Sequence, residues 1–214
     1  ERLERELETL ELSEEQKATR DALLNEGFGE WMRKDFKAFT SAMERNGRNE
    51  LDTIASETAA ETQKPEDEVR RYYATFWQKG PTALADWAKI VEKIEKGEKR
   101  IARSKEIREA LRKKVLRYER PWQQLTVQYA QSRGKIWTEE EDAYLVNMMN
   151  RFGYGNWERM RMQIRHAWQF KLDWFFKSRN AAELQRRCDF LIKQIEKENE
   201  DVERSEKVPN RRLP

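Results

Sequence analysis

The feature that most constrains the fold is a pattern of spacing that occurs twice in the chain. An aromatic residue is followed by an apolar residue, a glycine and a second apolar residue at +8, +16 and +20. The two sets are Trp31, Phe39, Gly47, Leu51 and Trp137, Leu145, Gly153, Trp157. Each set precedes an amphipathic segment, at residues 68–77 and 183–192. A repeat of this kind indicates one supersecondary unit built twice, here a bundle of three helices.

Turn signals place the helices of the first copy. Asn46-Gly47 is a left-handed helix stop, and Pro65 followed by three acidic residues is a helix start, since acidic side chains suit the positive end of the helix dipole. Gly80-Pro81 predicts the end of that helix. We therefore expect helices at about 33–46, 49–59 and 66–79.

A long helix is predicted between the two copies, over residues 82–118, with Gly97 as its weakest point. Its apolar residues form one stripe and then a second, shifted stripe, which are Trp87, Ile90, Ile94, Ile101 and Ile107, Leu111, Val115, Tyr118. Residues 1–25 predict a further helix with a cap at Ser13. The chain thus divides into an N-terminal helical segment, a first repeat, a spacer helix with its connector, a second repeat and a polar tail, at residues 1–26, 27–80, 81–132, 133–198 and 199–214.

Composition supports an all-α fold and a polyanionic partner. Charged residues make up 39% of the chain, yet it holds 8 Trp, 9 Phe and 6 Tyr, which suits small aromatic cores joined by solvated helices. The net charge is only +3, but residues 81–132 carry +6 and residues 133–193 carry +4. Such a local excess of one sign attracts a polyanion.

The residues offer little for catalysis. His166 and Cys188 are each the single residue of their type, and the sequence has no CxxC, HExxH or GxxxxGK[ST] motif. We expect His166 at the surface or in packing, Cys188 as a buried helix residue, and no catalytic site, metal or cofactor. One cysteine permits no intrachain disulfide, which suits the cytosol or the nucleus. No apolar run approaches the roughly 20 residues of a membrane span, so we expect no membrane partner.

The second copy opens with Trp137-Thr138-Glu139-Glu140-Glu141-Asp142, followed by Phe152-Gly153 and Asn156-Trp157. This resembles the opening of a Myb repeat, whose core uses one aromatic residue from each helix. Trp137 and Trp157 match the first two aromatics, and Cys188 stands in the place of the third. In the first copy those places are taken by Trp31, Leu51 and Tyr73, as in the divergent Myb repeats called SANT domains.

The pair of repeats, their order and the basic spacer resemble the SANT–spacer–SLIDE region of ISWI-type chromatin remodelers over about residues 23–198. Particular similarities are Lys34-Asp35-Phe36, Phe76-Trp77, Asp173-Trp174-Phe175-Phe176-Lys177-Ser178-Arg179 and Glu183-Leu184-Gln185-Arg186-Arg187-Cys188. The resemblance implies a nuclear, non-catalytic module that binds linker DNA beside nucleosomes and works with an ATPase motor outside this sequence. It also implies that residues 13–25 are the last helix of a preceding HAND domain.

Basic residues of the second repeat and the spacer are the candidate DNA contacts. The third helix of a helix-turn-helix fold can enter the major groove, with flanking cations on phosphates. From the residues alone a solvated charged helix fits equally well, because Glu183 and Asp189 partly cancel the charge; the resemblance favours DNA. Ala181 and Ala182 open that helix, so we expect little base reading. The candidates are Lys177, Arg179, Arg186, Arg187 and Lys193, with Lys113, Lys114 and Arg117 in the spacer.

A second hypothesis is a protein-interaction module. Glu66, Asp67 and Glu68 suit a basic peptide such as a histone tail better than DNA, and a purely structural helix is the alternative. The segment 168–176 holds five large aromatics, for which we favour packing against the repeat or the spacer. The alternative is an exposed surface, with Trp168 and Trp174, for an accessory subunit.

Overall fold

The computed structural model describes residues 13–129 and 136–207, and all regular structure in those ranges is helical. The all-α prediction is confirmed. In chain order the helices are α1 (Glu14–Glu26), α2 (Arg33–Asn46), α3 (Leu51–Thr62), α4 (Glu66–Ala83), α5 (Trp87–Leu116), α6 (Pro121–Gln124), α7 (Glu139–Phe152), α8 (Trp157–His166), α9 (Trp174–Lys177) and α10 (Ala181–Lys207). The chain divides into two compact units, the first ending at Ile101 and the second beginning at Ala102.

The repeated spacing is a repeated structure. Helices α2 and α7 each have 14 residues, and each ends at the glycine of the pattern. Gly47 has φ +83° and ψ 158°, and Gly153 has φ +85° and ψ 154°. Glycine adopts this positive φ without the steric penalty of a Cβ atom. The Gly47 N–H donates to the Met43 carbonyl at 2.8 Å, and the Gly153 N–H donates to the Met149 carbonyl at 2.9 Å.

The starts of these two helices also match. The backbone N–H of Met32 donates to Asp35 Oδ2 at 2.9 Å, and that of Thr138 donates to Glu141 Oε2 at 2.5 Å. Both acidic side chains are buried. Each carboxylate satisfies a backbone donor that the first turn leaves open. Burial raises the pKa of Glu141 from its ordinary value.

The first unit surrounds an aromatic core. Phe39, Ile54 and Val69, from α2, α3 and α4 respectively, are fully buried. The first half of α5 adds Ile94 to this core, with Trp87 and others packed at its margin. The long helix is therefore part of the first bundle and not a separate spacer there, because its first apolar stripe needs that core to cover it.

Gly80, predicted to end α4, and Gly97, predicted to be the weakest point of the long helix, are both sites of close contact between helices. Helix α4 continues through Gly80 and Pro81 to Ala83, where the sequence predicts a stop. A Cβ on Gly80 would lie 2.2 Å from a Trp87 ring carbon, so glycine makes room for that ring. A Cβ on Gly97 would lie 2.1 Å from the Glu44 carbonyl oxygen, so glycine lets α5 approach the backbone of α2.

The second unit has one core that includes the second half of α5. Leu145, Met160 and Leu184 are fully buried, as are Ile107 and Leu111 of α5 to within a few per cent. Cys188 is fully buried in the same core, as predicted for a helix residue, and burial raises the pKa of its thiol. The shifted second stripe of the long helix thus serves a second core.

The C-terminal side of the described chain differs from the prediction, and the N-terminal side agrees with it. Helix α10 continues to Lys207, so residues 199–207 are helix where the sequence predicts a polar tail. Ser13 caps α1 as predicted: its hydroxyl accepts from the Gln16 N–H at 3.2 Å, and Gln16 Oε1 accepts from the Ser13 N–H at 3.0 Å. The predicted helix over residues 1–12 and the last seven residues lie outside the described ranges. None of the described helices has the length and apolarity that a membrane span requires.

Candidate nucleic-acid interface

The structure excludes Arg187 as an exposed phosphate contact. Its side chain is only 8% exposed, and it forms a two-pronged ion pair with the fully buried Asp142, with Nε–Oδ1 2.7 Å and Nη2–Oδ2 2.5 Å. The guanidinium also lies 5.3 Å from the centre of the Trp137 ring. The sequence predicts Arg187 as a DNA contact because it is a basic residue of the third helix, but on a helix adjacent residues point about 100° apart, so Arg186 and Arg187 lie on different faces.

The spacer cations chosen from the sequence are also engaged within the protein. Lys114 is 0% exposed, and its Nζ lies 2.6 Å from Glu198 Oε1. Arg117 Nη1 lies 3.0 Å from the same oxygen, and Lys113 Nζ lies 2.7 Å from Glu203. Both carboxylates belong to α10: Glu198 is the last residue of the predicted second repeat, and Glu203 lies beyond it. Lys114 is therefore a buried structural charge, and Lys113 and Arg117 face acids of the protein.

The cations before α10 are partly occupied. Arg179 Nη1 lies 2.5 Å from Glu183, and its guanidinium stacks 4.2 Å from the Phe175 ring centre. Lys177 is half-exposed, and within the described residues its Nζ donates to the Lys171 carbonyl alone, at 3.4 Å. Lys177 thus keeps donors for a ligand, whereas the main contact of Arg179 is with the first turn of α10.

A ridge of exposed cations remains on α10. Arg186 and Lys193 of the predicted set are exposed. Lys197, which was not in the predicted set, is also exposed, one turn beyond Lys193 on the same face of the helix. No carboxylate lies within 4 Å of these three charges in the described ranges. Asp189 also lies along this stretch, but it accepts a 2.5 Å hydrogen bond from the Tyr154 hydroxyl. Burial, followed by this hydrogen bond, raises the pKa of Tyr154 to about 12.

A second basic surface of this unit was missed. Arg108 and Arg151 line one groove together with Phe152, and both are exposed. Arg159, also exposed, lies 4.2 Å from the centre of the Phe152 ring. The sequence contains a usable signal, because Arg151 and Arg159 bracket the aromatic residues Phe152, Tyr154 and Trp157. The approach of Arg108 depends on how α5 packs against α7.

The aromatic segment 168–176 divides into two groups. Phe170 and Phe176 are buried in the core, as packing predicts. Trp168 is 84% exposed and Trp174 is 77% exposed, with Leu172 between them at 83%. The packing interpretation is therefore wrong for Trp168 and Trp174 and right for Phe170 and Phe176, while Phe175 is half-buried. Exposed apolar groups of this size are typical of an interaction surface.

The acidic start of α4 is only partly available to a ligand. Glu66 and Asp67 are exposed, although Glu66 lies 3.6 Å from Arg70. Glu68 accepts a 2.6 Å hydrogen bond from the Trp31 ring N–H, so it holds the aromatic core in place. Of the three acidic side chains, Glu68 therefore has a structural role.

The possible metal ligands and the single histidine were the remaining candidates for a chemical site. No group of three or more His, Cys, Asp or Glu side chains that could hold a metal ion occurs there. His166 is exposed, and its Nδ1 lies 2.7 Å from the Met162 carbonyl one turn earlier. This agrees with the prediction of a surface residue.

Comparison with known proteins gives a consistent match. The SLIDE family model matches residues 88–199. An Arabidopsis thaliana protein described as "ISWI chromatin-remodeling complex ATPase CHR17" is 44% identical over 196 residues, which is 92% of this chain and 18% of the relative. The human "SWI/SNF-related matrix-associated actin-dependent regulator of chromatin subfamily A member 1" is 43% identical over 94% of this chain and 19% of its own length. The Saccharomyces cerevisiae "ISWI chromatin-remodeling complex ATPase ISW1" is 33% identical over 87% of this chain and 17% of its own. The chain thus spans less than a fifth of these relatives.

Proposed function

Because the chain belongs to the SLIDE family and matches ISWI-type chromatin-remodeling ATPases over most of its length, we propose that it is a non-catalytic module of a nuclear remodeler. Its partner is the duplex DNA that flanks a nucleosome. Hydrolysis of ATP belongs, on this proposal, to a motor outside these residues. The chain contributes binding.

The cation ridge on α10 is the observation that carries the proposal. Arg186, Lys193 and Lys197 lie along one helix face, without a carboxylate partner in the described ranges. The groove that Arg108 and Arg151 line adds two more exposed guanidinium groups to the same unit. Cations that displace counterions from phosphates supply binding energy that falls steeply with salt concentration.

We propose that this binding is largely independent of base sequence. Ala182 is exposed at the start of α10 and offers no hydrogen-bonding group to a base edge. Contacts to phosphates fix a protein on DNA but carry no sequence information directly. The position of the ridge on the third helix of a Myb-like unit suits an approach to a groove of the duplex.

Salt-dependent binding of the 214-residue chain to unrelated duplexes tests the proposal. Arg186→Ala/Lys193→Ala is expected to weaken every duplex similarly and to lower the salt slope by about 1.8, because each phosphate that the variant no longer neutralises accounts for about 0.9. Arg71→Ala is the matched control, because Arg71 is exposed at the position of α4 that corresponds to Arg186. Equal slopes for the double variant and the wild type would contradict the proposal.

The exposed tryptophans favour a second role, docking of an accessory subunit. Trp168 and Trp174 leave most of their surface in water, which a partner would cover. Trp168→Ser/Trp174→Ser is expected to abolish co-elution with such a subunit while DNA binding is kept. Phe170→Leu, which changes a buried neighbour, serves as the control. Co-elution of the double variant would contradict this role.

A histone tail is the third proposed partner, at Glu66 and Asp67. Both are exposed at the start of α4 and can attract lysine-rich peptide. Glu66→Gln/Asp67→Asn is expected to weaken binding of a histone-tail peptide at low salt, and Glu57→Gln is the control. Unchanged binding would leave α4 with a structural role alone.

A further inference from the structure

The first unit contains a groove that the DNA proposal does not use. It runs between α2 and the first half of α5, and its lining spans α2 from Arg33 to Glu44. At a rise of about 1.5 Å per residue, that lining is about 16 Å long, or three helical turns. Phe36, Ile90 and Ile94 form an apolar floor, of which the first two are only half-buried.

The rim of the groove is strongly basic. Arg33 and Lys37 lie one turn apart on α2, and Lys89 and Lys93 lie one turn apart on α5. All four are exposed. The rim therefore places cations on both sides of the apolar floor.

The two carboxylates beside the groove are already neutralised. Asp86 lies 3.0 Å from Lys89, and Glu44 lies 2.7 Å from Arg100. Arg33, Lys37 and Lys93 have no carboxylate within 4 Å in the part of the chain that is described. A ligand of the groove would thus meet three uncompensated positive charges around a hydrophobic centre.

We propose that this groove binds an acidic, amphipathic peptide segment of a partner protein, in helical form. Large apolar side chains on one face of the peptide lie on Phe36 and Ile90. Aspartate and glutamate side chains on its flanks pair with Arg33, Lys37 and Lys93. The groove length matches three turns of such a helix, and helix-in-groove recognition uses this combination of an apolar stripe and charged borders.

The apolar floor favours this peptide over DNA as the ligand of the groove. A phosphate backbone would pair with the three uncompensated cations but would leave Phe36 and Ile90 facing a charged and hydrated surface. An amphipathic peptide would bury the apolar side chains of the floor, and its acidic side chains would also pair with the cations of the rim. The first unit also carries acids elsewhere, such as Glu66 and Asp67, that repel a long polyanion more than a short peptide.

Fluorescence anisotropy with the 214-residue chain tests this inference. The probe is a fluorescein-labelled peptide of about 14 residues, with leucine at every third or fourth position, aspartate and glutamate beside the leucines, and alanine elsewhere. Two control peptides carry serine for leucine or lysine for the acids. The protein variant is Lys37→Glu/Lys93→Glu, and its charge-matched control is Arg71→Glu/Lys79→Glu, on exposed positions of α4 away from the groove.

The acidic leucine peptide is expected to bind, and the groove variant to weaken it about tenfold or more. The α4 variant is expected to bind as the wild type does. Equal binding of the serine peptide would overturn the proposal, because the floor would have no role. Equal weakening by both charge variants would overturn it too, since net charge alone would explain binding. Failure of the peptide to bind, together with reduced duplex affinity in the groove variant, would assign the surface to nucleic acid. Circular dichroism of each variant establishes that it is folded.

Discussion

The two units share one backbone plan and differ in what fills the same positions. Aligned by their repeat, Tyr72 corresponds to Arg187, and Phe36 corresponds to Asp142. In the first unit Tyr72 stacks on Trp31, with ring centres 3.6 Å apart. In the second unit Arg187 lies over Trp137, which corresponds to Trp31, and pairs with Asp142. The position beside this tryptophan is thus filled by an aromatic ring in one unit and by a buried ion pair in the other.

This difference shows that the two units keep the same backbone arrangement while the side chains at corresponding positions differ. The glycine turns, the 14-residue length of the first helix and the buried acid at its start agree in both units. The side chains by which the third helix, α4 or α10, contacts its neighbours differ between the units. A basic residue on that helix is therefore either a buried partner or a surface charge, and its neighbours in space decide which.

The largest expected effect comes from breaking the ionic version of the site. Asp142→Ala leaves the Arg187 guanidinium buried without that carboxylate, which costs about 3–5 kcal/mol in the free energy of unfolding of the second unit. Hydrogen exchange of the α7 and α10 amides measures this separately from the first unit. Asp142→Phe/Arg187→Tyr, with Tyr129→Phe because the Tyr129 hydroxyl donates to Asp142, copies the aromatic version and is expected to recover most of the stability. If the single variant were as stable as the wild type, the pair would have no structural role.

The long helix gives the next comparison, because the second unit holds it with a buried charge. Lys114→Met leaves Glu198 with Arg117 as its remaining cation. We therefore expect the free energy of unfolding to fall by about 3 kcal/mol, which is the lower end of the range for breaking a buried ion pair. Duplex affinity of the folded variant is expected to stay unchanged, since Lys114 is not exposed. Denaturant unfolding and a DNA titration measure the two quantities. A reduced salt slope would instead support Lys114 as a phosphate contact.

The first unit holds the same helix by close backbone contact. Gly97→Ala is expected to destabilise this unit by about 1–3 kcal/mol, because the new methyl group meets the Glu44 carbonyl and forces α5 away. Alanine favours a helix by about 1 kcal/mol over glycine, so propensity alone predicts the opposite sign. Hydrogen exchange of α2 and α5 distinguishes the two. Gly29→Ala is the control, since a Cβ there meets nothing within 4 Å.

The smallest effect concerns the caps of α2 and α7. The Thr138 hydroxyl accepts from the Glu141 N–H at 3.2 Å, whereas Met32 at the same position of the first unit makes no side-chain cap. Thr138→Ala is expected to cost about 1 kcal/mol, and Met32→Ala close to nothing. Met32→Thr is expected to stabilise the first unit if the two starts are equivalent. Thermal unfolding of the three variants checks this, and a destabilised Met32→Thr variant would show that the starts differ.

The sequence by itself determined the repeat, the all-α class and most of the core. Periodic apolar positions and glycines at positive φ act within one or two turns of the backbone, so spacing reveals them; Gly47, Gly153, Cys188 and the two stripes of α5 follow this rule. Tertiary structure alone decided which cations are free. Lys114 lies 84 positions from Glu198 in sequence, and Arg187 lies 45 from Asp142. Whether a charge is paired or solvated depends on contacts between distant helices, because ion pairs form through space, and no local pattern encodes them.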